Sequence, residues 1–221
     1  MPDKRVFWLG SSRADLREFP SSARRIAGFQ LRRVQQGLEP NDWKPMTAVG
    51  RGVSEIRVRT GREHRVFYVA AFTEGVYVLH AFEKRTRTTG KRDLDLARAG
   101  TALSWQGEEG EMAKKRKLER GVRVTPSTGN VFRDLGFPAE ESAHLLVRSD
   151  LMIEVQKFIA SRRLTQVQVA KILHVTQPRV SDLLRGRVDL FSTDTLLDML
   201  GRLGVRVRFV LKPSRRKLQV A

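Results

Sequence analysis

The stretch Leu164–Gly186, LTQVQVAKILHVTQPRVSDLLRG, constrains the fold more tightly than any other part of the chain. Ile172, Leu173, Val175, Val180, Leu183 and Leu184 fall at helical spacing on two short segments, enough to close a small core where two helices cross. A close crossing calls for a small residue in the first helix, and Ala170 stands there. Thr165 and Thr176 each sit where a helix begins and can offer a side-chain oxygen to open amide groups. Gly186 ends the second helix. The stretch predicts a helix-turn-helix whose second helix enters DNA. On that helix Gln177, Arg179, Ser181 and Arg185 point away from the apolar positions. Glutamine bonds adenine and arginine bonds guanine in two-pronged fashion, each good pair giving about 1–3 kcal/mol of discrimination.

Caps, turn and core agree together over these 23 residues, and the pattern resembles the lambda-repressor-like (XRE) family. The resemblance implies that Gln166, opening the first helix, contacts phosphate and braces Gln177. Charge asks for the same kind of partner. The 221 residues carry 42 Lys and Arg against 24 Asp and Glu, a net charge of +18. Through Gly100 the count is 20 against 11 and after it 22 against 13, so each half stands at +9. One DNA-binding unit therefore leaves the basicity of the first half unexplained. The absence of cysteine excludes disulfides, thiolate metal sites and a cysteine nucleophile. His64, His80, His144 and His174 show no metal-ligand spacing, and no cofactor is expected. No apolar run has membrane-spanning length, and Met1–Arg5 leads into a strand-like segment instead of a signal peptide, so a cytoplasmic protein without membrane contact is expected.

Val6–Leu9 predicts a first strand, and helices follow over 13–19 and 22–36, the second with arginines on a face read as solvated surface. Residues 37–42 break the helix, and Trp43–Met46 starts a loop. Strands are predicted over 53–59, 65–71 and 76–82, separated by Thr60-Gly61 and Glu74-Gly75 as an antiparallel meander requires. Glu55, Arg57 and Arg59 alternate with Ile56 and Val58, which turns a charged face of the first of these strands outward. Arg65, Phe67 and Val69 share a face of the second, opposite Val66 and Tyr68. A basic tail, Glu83–Arg87, ends the meander.

Gly52–Arg57, His64–Val69 and Val76–Lys84 resemble successive segments of the RelE-like toxins, and Trp8–Ser12 fits the HigB branch; the likeness covers roughly residues 4–98. It implies a metal-independent endoribonuclease that cuts mRNA on the ribosome. In that chemistry a ribose 2′-hydroxyl attacks the neighbouring phosphate and the 5′-oxygen leaves, so cations must offset the charge that builds on phosphate and a further group must move protons. Arg57, Arg65, Lys84 and Arg85 match family positions whose cations gather at the sheet face, and Arg59 is a weaker candidate. His80 can serve as base or acid, its ordinary pKa lying near neutrality; the plain alternative is a satisfied, half-buried strand residue.

Toxins of that type continue past Asp93–Arg98 as a terminal helix, whereas this chain departs at Ala99-Gly100, and Thr101–Glu111 shows little helical periodicity. Met112–Lys117 reads as a fresh start, as though a toxin gene and a downstream antitoxin gene shared one reading frame; an ordinary linker is the plain alternative. The basic run Lys114–Arg123 follows. Ser127–Pro138 resembles the segment before the helix-turn-helix in HigA-type antitoxins, a likeness extending over 124–213. Helices are predicted over 139–147, 150–162, 165–173, 177–185 and 193–203, and alternating Val205–Leu211 predicts a terminal strand that pairs with a second copy or another strand of the chain. The expectation is an α+β chain: a RelE-like antiparallel sheet with two leading helices (1–98), a linker (99–123), and an all-α helix-turn-helix antitoxin unit with a final strand (124–221). Its partners would be operator DNA and ribosome-bound mRNA, with a homodimer formed through the antitoxin half. The competing expectation is a DNA-binding regulator whose first half is catalytically inactive.

Overall fold

The computed structural model describes residues 3–73, 75–86, 89–105, 123–208 and 210, with backbone only for 102–105. Strand β1 (Arg5–Leu9) leads into helices α1 (Ser12–Arg17) and α2 (Ser21–Gln35), then strands β2 (Trp43–Pro45), β3 (Val53–Arg59), β4 (Glu63–Val69) and β5 (Gly75–Glu83). Helix α3 (Lys91–Trp105) closes the first half, and β6 (Val124–Pro126) opens the second. The sheet has six strands in the order β2-β3-β4-β5-β1-β6. It is mixed and not purely antiparallel: β1 runs parallel to β5, because the chain crosses over through α1 and α2 before the meander begins. The expected loop at Trp43 is in fact β2, whose Trp43–Pro45 pairs with Ser54–Ile56.

Alternation along the strands sorts their side chains into two layers. Val6, Trp8, Ile56, Val58, Val66, Tyr68, Val76 and Val78 face α1 and α2. Leu9, Val53, Phe67, Val69, Tyr77 and Leu79 face the other way, with Ala97 of α3 against them. In β5 the alternation breaks: Phe67 pairs with His80 and Tyr68 with Val78, leaving Leu79 as an extra residue. Such a bulge switches the faces of everything beyond it. His80 and Phe82 thereby share the face of Phe67 and Arg65, whereas unbroken alternation would have set them with Val76 and Val78.

The second half continues with α4 (Val131–Asp134), α5 (Ala139–Ser161), α6 (Gln166–Leu173), α7 (Gln177–Leu184), a 3-10 turn at Val188–Leu190, and α8 (Thr193–Arg202). The two helices expected over 139–147 and 150–162 are one. The polar residues at the expected break have partners that fit a continuous helix: Ser149 donates to the carbonyl of Leu145 at 2.7 Å, and Asp150 pairs with Arg32 of α2 at 2.7 Å. Residues 99–105, expected in a linker, extend α3 to Trp105. Val205–Arg208 and Val210 pair with no described strand of this chain, the second of the two partners expected for a terminal strand. Glu74, Arg87, the fresh start at Met112–Lys117, residues 106–122 of the linker with all but Arg123 of its basic run, Phe209 and Leu211 lie outside the described residues.

One apolar core runs from the sheet through α2 into α4, α5, α7 and α8, so the halves share their interior. Gly28 and Phe132 show why they meet so closely. A Cβ on Gly28 would lie 2.6 Å from the Phe132 ring, so the glycine in mid-helix is the place where that ring seats. The arginines of α2, expected at a solvated surface, are spent on this contact. Arg24 donates to the carbonyl of Leu135 at 3.0 Å, Arg25 pairs with Glu141 at 2.7 Å, and Arg33 donates to Gln156. Asp134, fully buried, accepts from Trp8 of β1 at 3.2 Å, from Ser127, and from the amide of Thr128 at 3.0 Å.

Candidate functional site

The structure sets two of the expected cations of the first half, Arg57 and Arg65, side by side on the face of β3 and β4 that carries Phe67. Arg57 and Arg65 stand directly opposite each other on β3 and β4. Like charges so placed repel. Glu55, two residues before Arg57 on the same face, answers both: its Oε1 accepts from Arg57 Nε at 2.9 Å and lies 3.2 Å from Arg65 Nε. Its side chain is only 2 % exposed, so the outward charged face expected for this strand is instead folded over a buried carboxylate. Arg65, 3 % exposed, also donates to Glu63 at 2.5 Å and to the carbonyl of His64 at 3.0 Å. Its hydrogen bond and charge hold the Glu63 carboxyl below its usual range. Removing either member of the buried pair would strand the other charge away from water.

Arg57 is more open, 26 % exposed, with Asp42 3.9 Å away. Lys84 follows β5 directly; its amide donates to the carbonyl of Glu63 at 2.7 Å and its side chain is half-buried. Arg85 projects into solvent, with Glu83 3.8 Å away. Three cations, Arg57, Lys84 and Arg85, are thus open or half-open, while Glu55 and Arg65 are buried.

His80 is bound on both sides. Nδ1 lies 3.1 Å from Asp15 of α1 and Nε2 lies 2.9 Å from Asp93 of α3, while the ring stacks on Phe82. Burial lowers its pKa, but the hydrogen bonds and charges of Asp15 and Asp93 outweigh that, and the net direction is upward. A ring flanked by two carboxylates is favoured in its doubly protonated form. It can give a proton away and has no free lone pair with which to take one. Neither aspartate stands at a spacing from His80 that a sequence motif would reveal; α1 and α3 bring them in from the two layers. The hydrogen-bond and ion-pair partners of Arg57, Arg65 and His80 among the described residues all come from the first half.

The helix-turn-helix forms as α6 and α7. Thr165 caps α6 reciprocally with Gln168: its Oγ1 accepts the Gln168 amide at 3.3 Å and the Gln168 side chain accepts the Thr165 amide at 2.9 Å. His174 closes α6 in the left-handed conformation, φ +52°. Thr176 makes no such side-chain cap, in contrast to expectation; Pro178 in the first turn removes one of the open amides instead. Gln166, Gln177 and Arg185 are exposed and Ser181 is half-exposed. Arg179 is committed elsewhere. Its guanidinium lies 4.0 Å above the Phe191 ring and donates to the carbonyl of Leu190 at 2.5 Å. Of the four residues expected to reach bases, Gln177 at the start of α7, Ser181 at its middle and Arg185 just past its end are open or half-open, and Arg179 must leave an aromatic platform to join them.

The far end of α7 is held by amides. Gln156 Nε2 donates to the carbonyl of Leu183 at 2.6 Å, Asn41 Nδ2 to that of Leu184 at 2.6 Å, and Gln30 Nε2 to that of Arg185 at 3.4 Å. Gly186 follows in the left-handed region, φ +75°, where an added Cβ would overlap the Phe29 ring of α2.

Among the described residues no cluster of His, Asp or Glu is arranged to hold a metal, and no helix is long and apolar enough to cross a membrane.

Residues 14–100 match the family model of phage-derived Gp49-like proteins, and residues 131–212 match that of a helix-turn-helix domain. No curated protein matches the chain. The chain therefore joins a toxin-like Gp49 domain to a DNA-binding helix-turn-helix domain, a pairing that fits a toxin–antitoxin-like protein.

Proposed function

We propose that this chain is a toxin and its antitoxin in one polypeptide, with units at 1–98 and 124–221 joined through 99–123. The first half resembles the HigB-type toxins and cleaves mRNA on the ribosome; the second resembles the HigA-type antitoxins and, as a homodimer, represses its own operon in the cytoplasm. The observation that carries the reading is the cationic face of Arg57 and Arg65 on β3 and β4, with Lys84 and Arg85 following the end of β5 and their described ion-pair partners within the first half. Arg57, Lys84 and Arg85 meet the scissile phosphate, Arg65 acts behind them through Glu55, the attacking 2′-hydroxyl gives its proton to solvent water, and His80 protonates the departing 5′-oxygen once one of its carboxylates yields. Gln166 binds backbone phosphate, and Gln177, Arg179, Ser181 and Arg185 read the operator or its phosphates.

Inducing the full chain in cells and mapping the 5′ ends of ribosome-bound mRNA tests this. New ends are expected, falling about 100-fold in Arg57→Ala or Lys84→Ala, the size of effect that losing one stabiliser of transition-state charge has. A specific observation favours a second reading. Arg65 and His80 are each tied to two carboxylates, which blunts them as phosphate binder and proton carrier. A chain that binds DNA but yields no new ends is a transcriptional regulator with an inactive first half.

A further inference from the structure

The last turn of α7 leaves carbonyls without helical partners, as every helix end does. In most helices local residues or water satisfy them; here two of the three amide donors belong to the first half. Asn41 lies in the loop after α2 and Gln30 on α2 itself, and they brace each other, the amide of Asn41 donating to Gln30 Oε1 at 2.8 Å. Asn41 Nδ2 also lies 3.5 Å from Gln156 Oε1, so amides from both halves meet at this one helix end. The close seat of Gly186 on Phe29 fixes the same point sterically.

We propose that Asn41 and Gln30 are positioning residues for sequence-specific DNA binding, through which the toxin-like half sets the pose of the recognition helix. This rests on the DNA-binding reading above. The helix has 8 residues, and Gln177, the first of its candidate base contacts, lies at the end opposite the anchored one. At a rise of about 1.5 Å per residue it is roughly 12 Å long, so a tilt of about 10° at the anchor moves the reading end by about 2 Å, enough to break a base-edge hydrogen bond. Phosphate contacts spread over the surface tolerate such a shift far better, since they depend on charge more than on direction. The expected signature is loss of discrimination with general DNA affinity retained.

The experiment uses the full chain. A duplex is first enriched from a random-sequence library by the wild-type protein, and binding is then measured on that duplex and on its scrambled version. Asn41 is exposed, so its substitution spares the core. Asn41→Ala removes the donor. Asn41→Asp keeps the shape but sets a carboxylate against the negative end of the helix. Affinity for the enriched duplex should fall about 3- to 10-fold in Asn41→Ala, the effect of one hydrogen bond, and further in Asn41→Asp, with the scrambled duplex bound as before. Ser149→Ala, which removes a buried hydrogen bond elsewhere in α5, serves as the stability control and should keep full discrimination. Equal affinities in all the proteins overturn the proposal, as does an equal loss on both duplexes or an equal loss of discrimination in the control. A wild-type chain that enriches no sequence overturns the DNA-binding reading, and the proposal falls with it.

Discussion

His64 and His80 respond to protons in opposite senses, although each is buried on the sheet. His64 packs against Phe19 with the two rings tilted, and its ring nitrogens have no hydrogen-bond partner among the described residues. Burial lowers its pKa from the ordinary 6.5, with Arg62 and Arg65 adding to that and Glu83 opposing. The stability tied to its neutral ring is present above pH 6.5 and is lost as pH falls through the lower folded value. His80 is the reverse: its contribution is complete below 6.5 and fades as pH rises through the higher folded value. His80→Gln should cost about 1–3 kcal/mol in acid and progressively less in base. His64→Leu should flatten the loss in acid. Thermal unfolding of the three proteins from about pH 5 to about pH 9 checks both, and a His80→Gln deficit that grows with pH would refute the ion-pair account. At this scale the sequence placed the cations of β3 and β4 on one face, because period-2 alternation holds there. It left His80 undecided, since the bulge at Leu79 that turns it toward Asp93 carries no residue signature. Glu55 was visible as part of a charged alternation, but its burial depended on two arginines from neighbouring strands converging on it.

Among the elements, α2 shows how an amphipathic pattern can be read correctly and its other face misjudged. Ile26, Phe29, Leu31 and Val34 pack as their spacing predicts. The arginines between them look solvated only until a second layer of helices arrives. Gly28, unremarked in the sequence, is the contact point of that layer. Gly28→Ala would ordinarily strengthen a helix by about 1 kcal/mol. Here it should destabilise the protein by about 1–3 kcal/mol, because Phe132 is fully buried and has nowhere to move. Chemical denaturation is the measurement, and a stabilised variant would show that the ring is not seated as described. Val205–Arg208 teaches the converse: alternation marks a strand, but a strand exists only where a ladder partner is supplied.

For the whole molecule, the +9 of the first half is more than one DNA-binding unit explains. Part of it is internal, since Arg13, Arg17, Arg24, Arg25, Arg32 and Arg33 all engage the second half. Sequence motifs identified both units because each has its own local signature; their union had none, being made of single arginines, a glycine and one buried aspartate far apart in the chain. The shared core predicts one cooperative unfolding transition. A protease site placed within residues 106–122 and cut in the folded protein should leave the fragments migrating together and melting together. Separation on size exclusion, or two resolved transitions, would contradict it.

Strand β6 has a consequence for dosage. It completes the sheet beside β1, the strand that opens the chain, with Ser127 and Asp134 locked in just behind it. Each molecule therefore carries its two domains in fixed one-to-one proportion, and the tether keeps the second half at a local concentration that dilution does not change. A cell that makes such partners as separate proteins can tip their ratio by degrading one faster than the other. This chain has no ratio to tip, and its supply can be raised or lowered only as a single quantity.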